Sequence, residues 1–438
     1  MSATPSMPRV SMELATAREH VKQGRLHDAE QVYRGILAEN PAFPEALRFL
    51  ANAALSQGRP GEAVELLSRA LETDRNDPDM LLELGVAYRA GDRPDAARYV
   101  LERAVELSGS RRPSARLMLA NVLEADQRPD LALLHYFRAI LDAQGTGQWL
   151  DDDTTEPGLR GLVKHAIDFV ISGRRGLFDD ALRPLRSDAS DGALDRVDRA
   201  VSIYLHETRE APEDPRQKPS FLYVPALGTG PFPDETSPAW LTACVSRITG
   251  LGQEVDACAN SMATPATSPF NLQNLLGGDQ APAANPEMPQ RIPVYQHGTL
   301  IENARNHAPQ LVAALEDTPL AHIPWHGPDA EIIQLAQGDH VPPRFGRTNS
   351  RISVAIALSD SAEVVIEVGG ERVVLQPSRA LVFDSTFGYT FANHSSDGTA
   401  RVVTFEVWHP GLSTLERKAI EAVTGVAVEF DTRLYELS

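Results

Sequence analysis

The sequence predicts a multidomain α + β chain, with an α-helical solenoid in its first half and an all-β sandwich or barrel in its second. Three observations carry that reading. Ala29, Ala63 and Ala97 recur every 34 residues, the period of a helix-turn-helix repeat whose paired helices cross at small side chains. After residue 220 the grammar changes to short β-rich runs separated by turns, among them "RISVAIALS", "AEVVIEVGGERVVLQP" and "ARVVTFEVWHP". Between the halves, the acidic breaker "DDDTTEPG" (151 to 158) and the proline-rich "APEDPRQKPS" (211 to 220) bracket apolar residues at helical spacing.

Taken in order, residues 1–10 read as a flexible terminus and 11–145 as the repeats. "GRLHDAEQVYRGILAENP", "GRPGEAVELLSRALETDRNDP" and "DRPDAARYVLERAVEL" are successive copies. A fourth, "QRPDLALLHYFRAIL" (127 to 141), follows one residue late, with Ala132, Tyr136 and Ala139 in the places of Ala29, Tyr33 and Ile36. Leu50 and Leu84, also 34 apart, are assigned to the shared core. Stacked copies leave a concave face, which predicts a peptide or protein partner held there. Residues 146–215 read as two or three capping and linking helices, and 216–438 as the β domain. Within that domain "VGGE" (368 to 371) predicts a hairpin, and the Gly-, Pro- and Ala-rich "LGGDQAPAANPEMPQR" (276 to 291) predicts a long loop.

Composition narrows the function classes. A net charge of −19 over 438 residues argues against a phosphate-backbone footprint, so nucleic acid is not an expected partner. No apolar run reaches the ~18 residues needed to cross a bilayer, and the opening residues lack a basic-then-apolar signal, so a cytoplasmic protein without a membrane partner is expected. Cys244 and Cys258 are the only cysteines and have no CxxC spacing, which argues against a zinc ribbon and against a disulfide framework. Nucleophilic hydrolysis lacks its Gly-x-Ser-x-Gly elbow.

The repeats resemble the tetratricopeptide repeat (TPR) family over about residues 11–143. In the second half, the order "FLYVPALGTGPFPDETSPAW", "ENARNHAPQLVAALEDTP", "LAQGDHVPPRFGRTNSRISVAIAL", "LVFDSTFGYTFANHS" and "RVVTFEVWHPGLSTLER" is similar to the aspartyl/asparaginyl β-hydroxylase family, through about residues 220–425. That resemblance implies a double-stranded β-helix, a jelly-roll or cupin-like fold. It also implies ferrous iron and 2-oxoglutarate as cofactors for hydroxylation of a side chain. Several family members carry helical repeats ahead of the catalytic domain.

The same resemblance locates where the chemistry would sit. The family's first iron-ligand histidine lies in a "pPH.G..N.R" block, where "PPRFGRTNSR" has Arg344. Its second lies in a "FDDS..HE.WN" block, where "FDSTFGYTFAN" has Tyr389. The arginine and histidine that face 2-oxoglutarate are replaced by Ser353 and Ala355. Arg401 stands near the family's carboxylate-binding arginine, one residue short of the usual distance to "WHP". A guanidinium stays protonated and offers no lone pair to a metal. The leading expectation is therefore a non-catalytic relative, without cofactor, used for protein or peptide binding. The alternative is an iron(II)/2-oxoglutarate oxygenase with relocated ligands, His340 first among them and His322, His326 and His394 nearby. The remnant pocket is either filled by its own side chains or a small cationic site in which Arg344, Ser353, Tyr389 and Arg401 grip a carboxylate or phosphate.

Overall fold

The computed structural model describes residues 7–187, 189–228, 230–233, 238–261, 289–323, 325–358, 363–395 and 398–437. It divides into two compact units, Met1–Arg174 with Glu436–Ser438, and Arg175–Tyr435.

The first unit is built from helix pairs: α1 (Met7–Lys22) with α2 (Leu26–Glu39), α3 (Pro44–Ser56) with α4 (Pro60–Leu71), α5 (Pro78–Ala90) with α6 (Pro94–Ser108), and α7 (Pro113–Ala125) with α8 (Pro129–Gly145). Each helix from α3 to α8 opens on proline, which suits a first position whose N–H has no intrahelical acceptor. Ala29, Ala63, Ala97 and Ala132 have no exposed surface, so the repeat period marks the helix crossings. Gly85 extends the same logic, because a Cβ there would meet Leu101 Cγ at 2.5 Å. The turns inside the pairs repeat as well: Gly24, Gly58, Asp92 and Gln127 adopt left-handed φ of 72°, 71°, 55° and 57°. Glycine takes that conformation freely, whereas Asp92 and Gln127 hold it against a steric cost. A longer helix, α9 (Arg160–Ser187), follows α8, and the division between the units falls inside it.

The second unit contains α10 (Asp195–Tyr204), α11 (Ala239–Ile248), α12 (Gly252–Ser261), β1 (Gln290–Gln296), β2 (Thr299–Leu300), α13 (Glu302–His307) and α14 (Pro309–Glu316). They are followed by β3 (Ala330–Leu335), β4 (Arg351–Ala357), β5 (Val364–Val368), β6 (Glu371–Leu375), β7 (Ala380–Phe383), β8 (Tyr389–Asn393), β9 (Ala400–Trp408) and α15 (Thr414–Glu436). The strands make two antiparallel sheets, ordered β2-β1-β3-β9-β4-β7 and β6-β5-β8. Alternation along the larger sheet gives it two buried faces. Ile332, Val354 and Phe405 pack under the helices with Val245 and Leu311, while Ile333, Ala355 and Val402 close on Ile366 and Phe391 of the smaller sheet. Cover on both faces explains why β4, "RISVAIA", is buried along its whole length.

Two local devices fix the frame. The β5–β6 hairpin turns at Gly369 and Gly370, with φ of 58° and 86° and Val368 paired with Glu371, as a two-residue turn with both central φ positive requires. At the start of α15, Ser413 N donates to Glu416 Oε2 (2.8 Å) and Glu416 N donates to Ser413 Oγ (3.2 Å), a reciprocal cap. Arg196 on α10 then grips the same carboxylate through Nε (2.8 Å) and Nη2 (2.9 Å).

Of the expected loop at 276–291, residues 276–288 lie outside the described residues. Its last part is not loop: Gln290 and Arg291 open β1, paired with Gln334 and Ile333. Pro293 sits inside that strand, beside a register shift, and a proline in a run speaks against a strand when only the sequence is in view.

Candidate functional site

Arg344 and Tyr389 are cross-strand partners. Arg344 N donates to Tyr389 O (3.0 Å) and Tyr389 N to Arg344 O (2.8 Å). Opposed residues of this kind present their side chains on one face. The Tyr389 ring packs on Phe383 and Phe391, at centroid distances of 5.3 and 5.9 Å. Burial pushes its phenol above the ordinary tyrosine range, with the charges of Arg291 and Arg344 pulling the other way.

The interior face of the larger sheet, between the two sheets, carries charge at one end. Register puts Glu331 opposite Pro293 of β1 and Thr404 of β9, with Arg291 two residues along. Arg291 forks onto Glu331, Nε to Oε2 at 2.7 Å and Nη2 to Oε1. Burial opposes the Arg291 charge, yet Glu331, together with Tyr389, raises its pKa above the usual arginine value. The arrangement recurs one strand pair away. Glu406 of β9 lies opposite Ser353 of β4, with Arg351 two residues along. Arg351 Nη1 donates to Glu406 Oε2 (2.6 Å) and to His326 O (2.8 Å), and Glu406 Oε2 also accepts from Asp329 N (2.9 Å). Burial raises the Glu406 carboxyl, against the pull of Arg351. His326, buried against Phe221 with ring centroids 4.4 Å apart, is held well below its ordinary pKa, first by burial and then by Arg351 and Arg347.

The structure distributes the sequence-derived candidates unequally. Arg344 and Tyr389 are brought together, and Ser353 is buried on the interior face beside Glu406. Arg401 is not with them. It alternates onto the opposite face and pairs with Asp256 of α12, Nε to Oδ1 at 2.5 Å. His322, His340 and His394 are exposed. Sequence reasoning missed Arg291, Glu331 and Glu406, and left Arg351 inside the "N.R" block without a role. The available signal was a charge in each of the apolar runs "QRIPVYQ", "AEIIQL" and "ARVVTFEVW".

Ferrous iron, which the resemblance implies, does not fit this donor set. Arg344 has no lone pair to offer, and the raised phenol of Tyr389 keeps its proton. Among the described residues, no three His, Cys, Asp or Glu side chains are gathered as a metal-binding group.

The repeat unit has a separate cavity of about 760 Å³, lined by Val86 and Arg89 of α5, Met118, Asn121 and Glu124 of α7, and His165 of α9. Glu124 Oε2 accepts from the Tyr136 hydroxyl (2.8 Å) and lies 2.8 Å from His165 Nε2. The first helices of two successive pairs, α5 and α7, together with α9, line this cavity with both apolar and hydrogen-bonding groups. Among the described residues no helix is long and apolar enough to cross a membrane.

Comparison with known proteins agrees with both halves. Residues 20–83 and 82–147 match tetratricopeptide repeat models, and residues 276–410 match the aspartyl/asparaginyl beta-hydroxylase family model. Protein O-mannosyl-transferase TMTC3 of Homo sapiens is 30% identical over 174 residues, 36% of this chain and 19% of that protein. Aspartate beta-hydroxylase domain-containing protein 2 of Rattus norvegicus is 31% identical over 97 residues, 22% of this chain and 28% of that protein. The chain thus spans less than a third of the length of either relative. Among solved structures, MamA is 21% identical, with 36% of this chain and 87% of that one covered at a TM-score of 0.29. A thermophilic TPR protein of Thermus thermophilus, TTC0263, is 23% identical, with 34% and 77% covered at 0.28. The chain carries tetratricopeptide repeats in its N-terminal part, followed in its C-terminal region by a domain that matches the aspartyl/asparaginyl β-hydroxylase family model.

Proposed function

We propose that the protein is a peptide- or protein-binding repeat protein whose hydroxylase-like domain is non-catalytic. One observation carries this reading: Arg344 and Tyr389, which the family resemblance aligns with its two iron-ligand histidines, face each other across a paired backbone. A fixed cation and a protonated phenol give a ferrous ion nothing to bind. The working surface is then the repeat cavity, where Arg89, Asn121 and Glu124 offer donors and acceptors beside the apolar Val86 and Met118, a mixture suited to an extended peptide. Cys244 and Cys258 are both buried, and burial pushes the Cys244 thiol up to about 11; unreactive thiols of this kind accord with a reducing, cytoplasmic setting.

The test is anaerobic reconstitution of the purified chain with ferrous iron and 2-oxoglutarate, followed by metal analysis and a succinate assay. The expected result is no stoichiometric iron and no succinate above background. One iron per chain, or succinate formation that a chelator abolishes, overturns the reading.

A further inference from the structure

The interior of the β domain holds two arginines, Arg291 and Arg351, each answered by a carboxylate of the same chain. Arg291 presents Nε and Nη2 to the two oxygens of Glu331 in the side-by-side geometry of a guanidinium holding a carboxylate ligand. Its remaining donor, Nη1, is buried without a hydrogen-bond partner. Around the pair stand Tyr389, whose phenol is close enough to act on the Arg291 charge, and the paired backbone that carries Arg344. The second couple, Arg351 with Glu406, is tied into the loops by His326 O and Asp329 N, so it serves as framework. The first has no such tie to the loops; its one further neighbour in charge is the Tyr389 phenol.

We infer that Arg291 is the core of a carboxylate-binding site that this chain closes in cis with Glu331. The side chain of Glu331 occupies the place of a small free carboxylate, and the domain keeps a ligand-bound interior without a ligand. The inference rests on the non-catalytic reading only for its starting point, since the pairing itself is independent of iron. It predicts a latent specificity. With Glu331 shortened, the Arg291 fork and the vacated volume should accept formate or acetate from solution. The wild type, already filled, should not respond.

The test is chemical rescue with Glu331→Ala in the full-length chain. Melting is measured in sodium formate and in sodium chloride at equal ionic strength, alongside wild type, Glu331→Ala/Arg291→Met, and Arg401→Ala, whose arginine lies on the other face. Formate at several times its Kd should raise the Glu331→Ala midpoint by on the order of 3 °C over chloride. Wild type, the double variant and Arg401→Ala should show no formate-specific shift. Equal responses in wild type and Glu331→Ala, or a folded Glu331→Ala that is blind to formate, overturn the inference. Should Glu331→Ala not fold in chloride, the yield of refolding in formate against chloride decides: higher yield in formate supports the site, and equal yields reject it. Iron bound by the wild type would defeat the non-catalytic reading and leave the formate result standing, so the two failures are distinguishable.

Discussion

Arg344 and Tyr389 exchange both backbone hydrogen bonds, at 3.0 and 2.8 Å, so the main chain alone fixes their side chains as neighbours. A relationship made by the backbone outlives a change of side chain. This is how a frame that resembles that of an iron-binding family can persist around an arginine and a tyrosine. Gly388 is part of the same frame. Its φ of 77° is open to few side chains, and a Cβ would meet Phe345 at 2.7 Å. Gly388→Ala should therefore destabilise the second unit by about 1–3 kcal/mol. A denaturant midpoint unchanged from wild type would show that the frame yields more easily than this geometry implies.

The two charged pairs on either face of the larger sheet should differ sharply in their response to truncation. Glu406→Ala leaves Arg351, 3% exposed, without its carboxylate, and an uncompensated buried charge of this kind costs about 3–5 kcal/mol. Arg401→Ala breaks an ion pair whose side chains are 28% and 40% exposed, so its cost should stay under about 1 kcal/mol. Urea titrations of both variants compare them directly, and similar losses would contradict the assignment of Glu406 to framework.

In the repeats, Gln127 holds the left-handed position that Gly24 and Gly58 occupy in earlier copies. Gln127→Gly removes steric strain of about 1–2 kcal/mol and adds back part of it as chain entropy. The expected net effect is a gain of up to about 1 kcal/mol, read as a raised thermal midpoint. The opposite change, Gly58→Ala, should lower it, and a Gln127→Gly variant that melts below wild type would mean the glutamine side chain holds the turn.

His409 supplies a pH dependence. Burial, helped by Arg196 and Arg417, holds its pKa down at about 4, and its unprotonated Nδ1 accepts from Gly411 N at 3.0 Å. Because the folded value lies below the unfolded one, the unfolded chain binds the proton first as pH falls. Stability from this group is intact above about pH 6.5 and is lost progressively toward pH 4, by up to roughly 3 kcal/mol. Glu406 and Asp384, whose carboxyls burial raises, act in the opposite direction. The informative quantity is therefore the difference in stability between wild type and His409→Gln across pH 4 to 7, which should shrink as pH falls. A difference that stays constant would argue against a neutral, buried His409.

What the sequence determined by itself was local and periodic. The spacing of Ala29, Ala63 and Ala97 requires no knowledge of distant contacts, because each repeat buries its alanine against its immediate neighbours. Arg344 and Tyr389, where the family resemblance expects histidines, are likewise legible as letters within short blocks. What the tertiary structure decided was which charges share a face. Arg401 was one residue short of its expected place, and along a strand one residue is the difference between two sides of a sheet. Ala400 faces the interior while Arg401 faces α12 and Asp256. Arg291 and Glu331, 40 residues apart in the chain, meet only because β1 and β3 pair in one particular register around Pro293. Register is set by the packing of both faces at once, so it is a property of the folded sheets and of no single stretch of sequence.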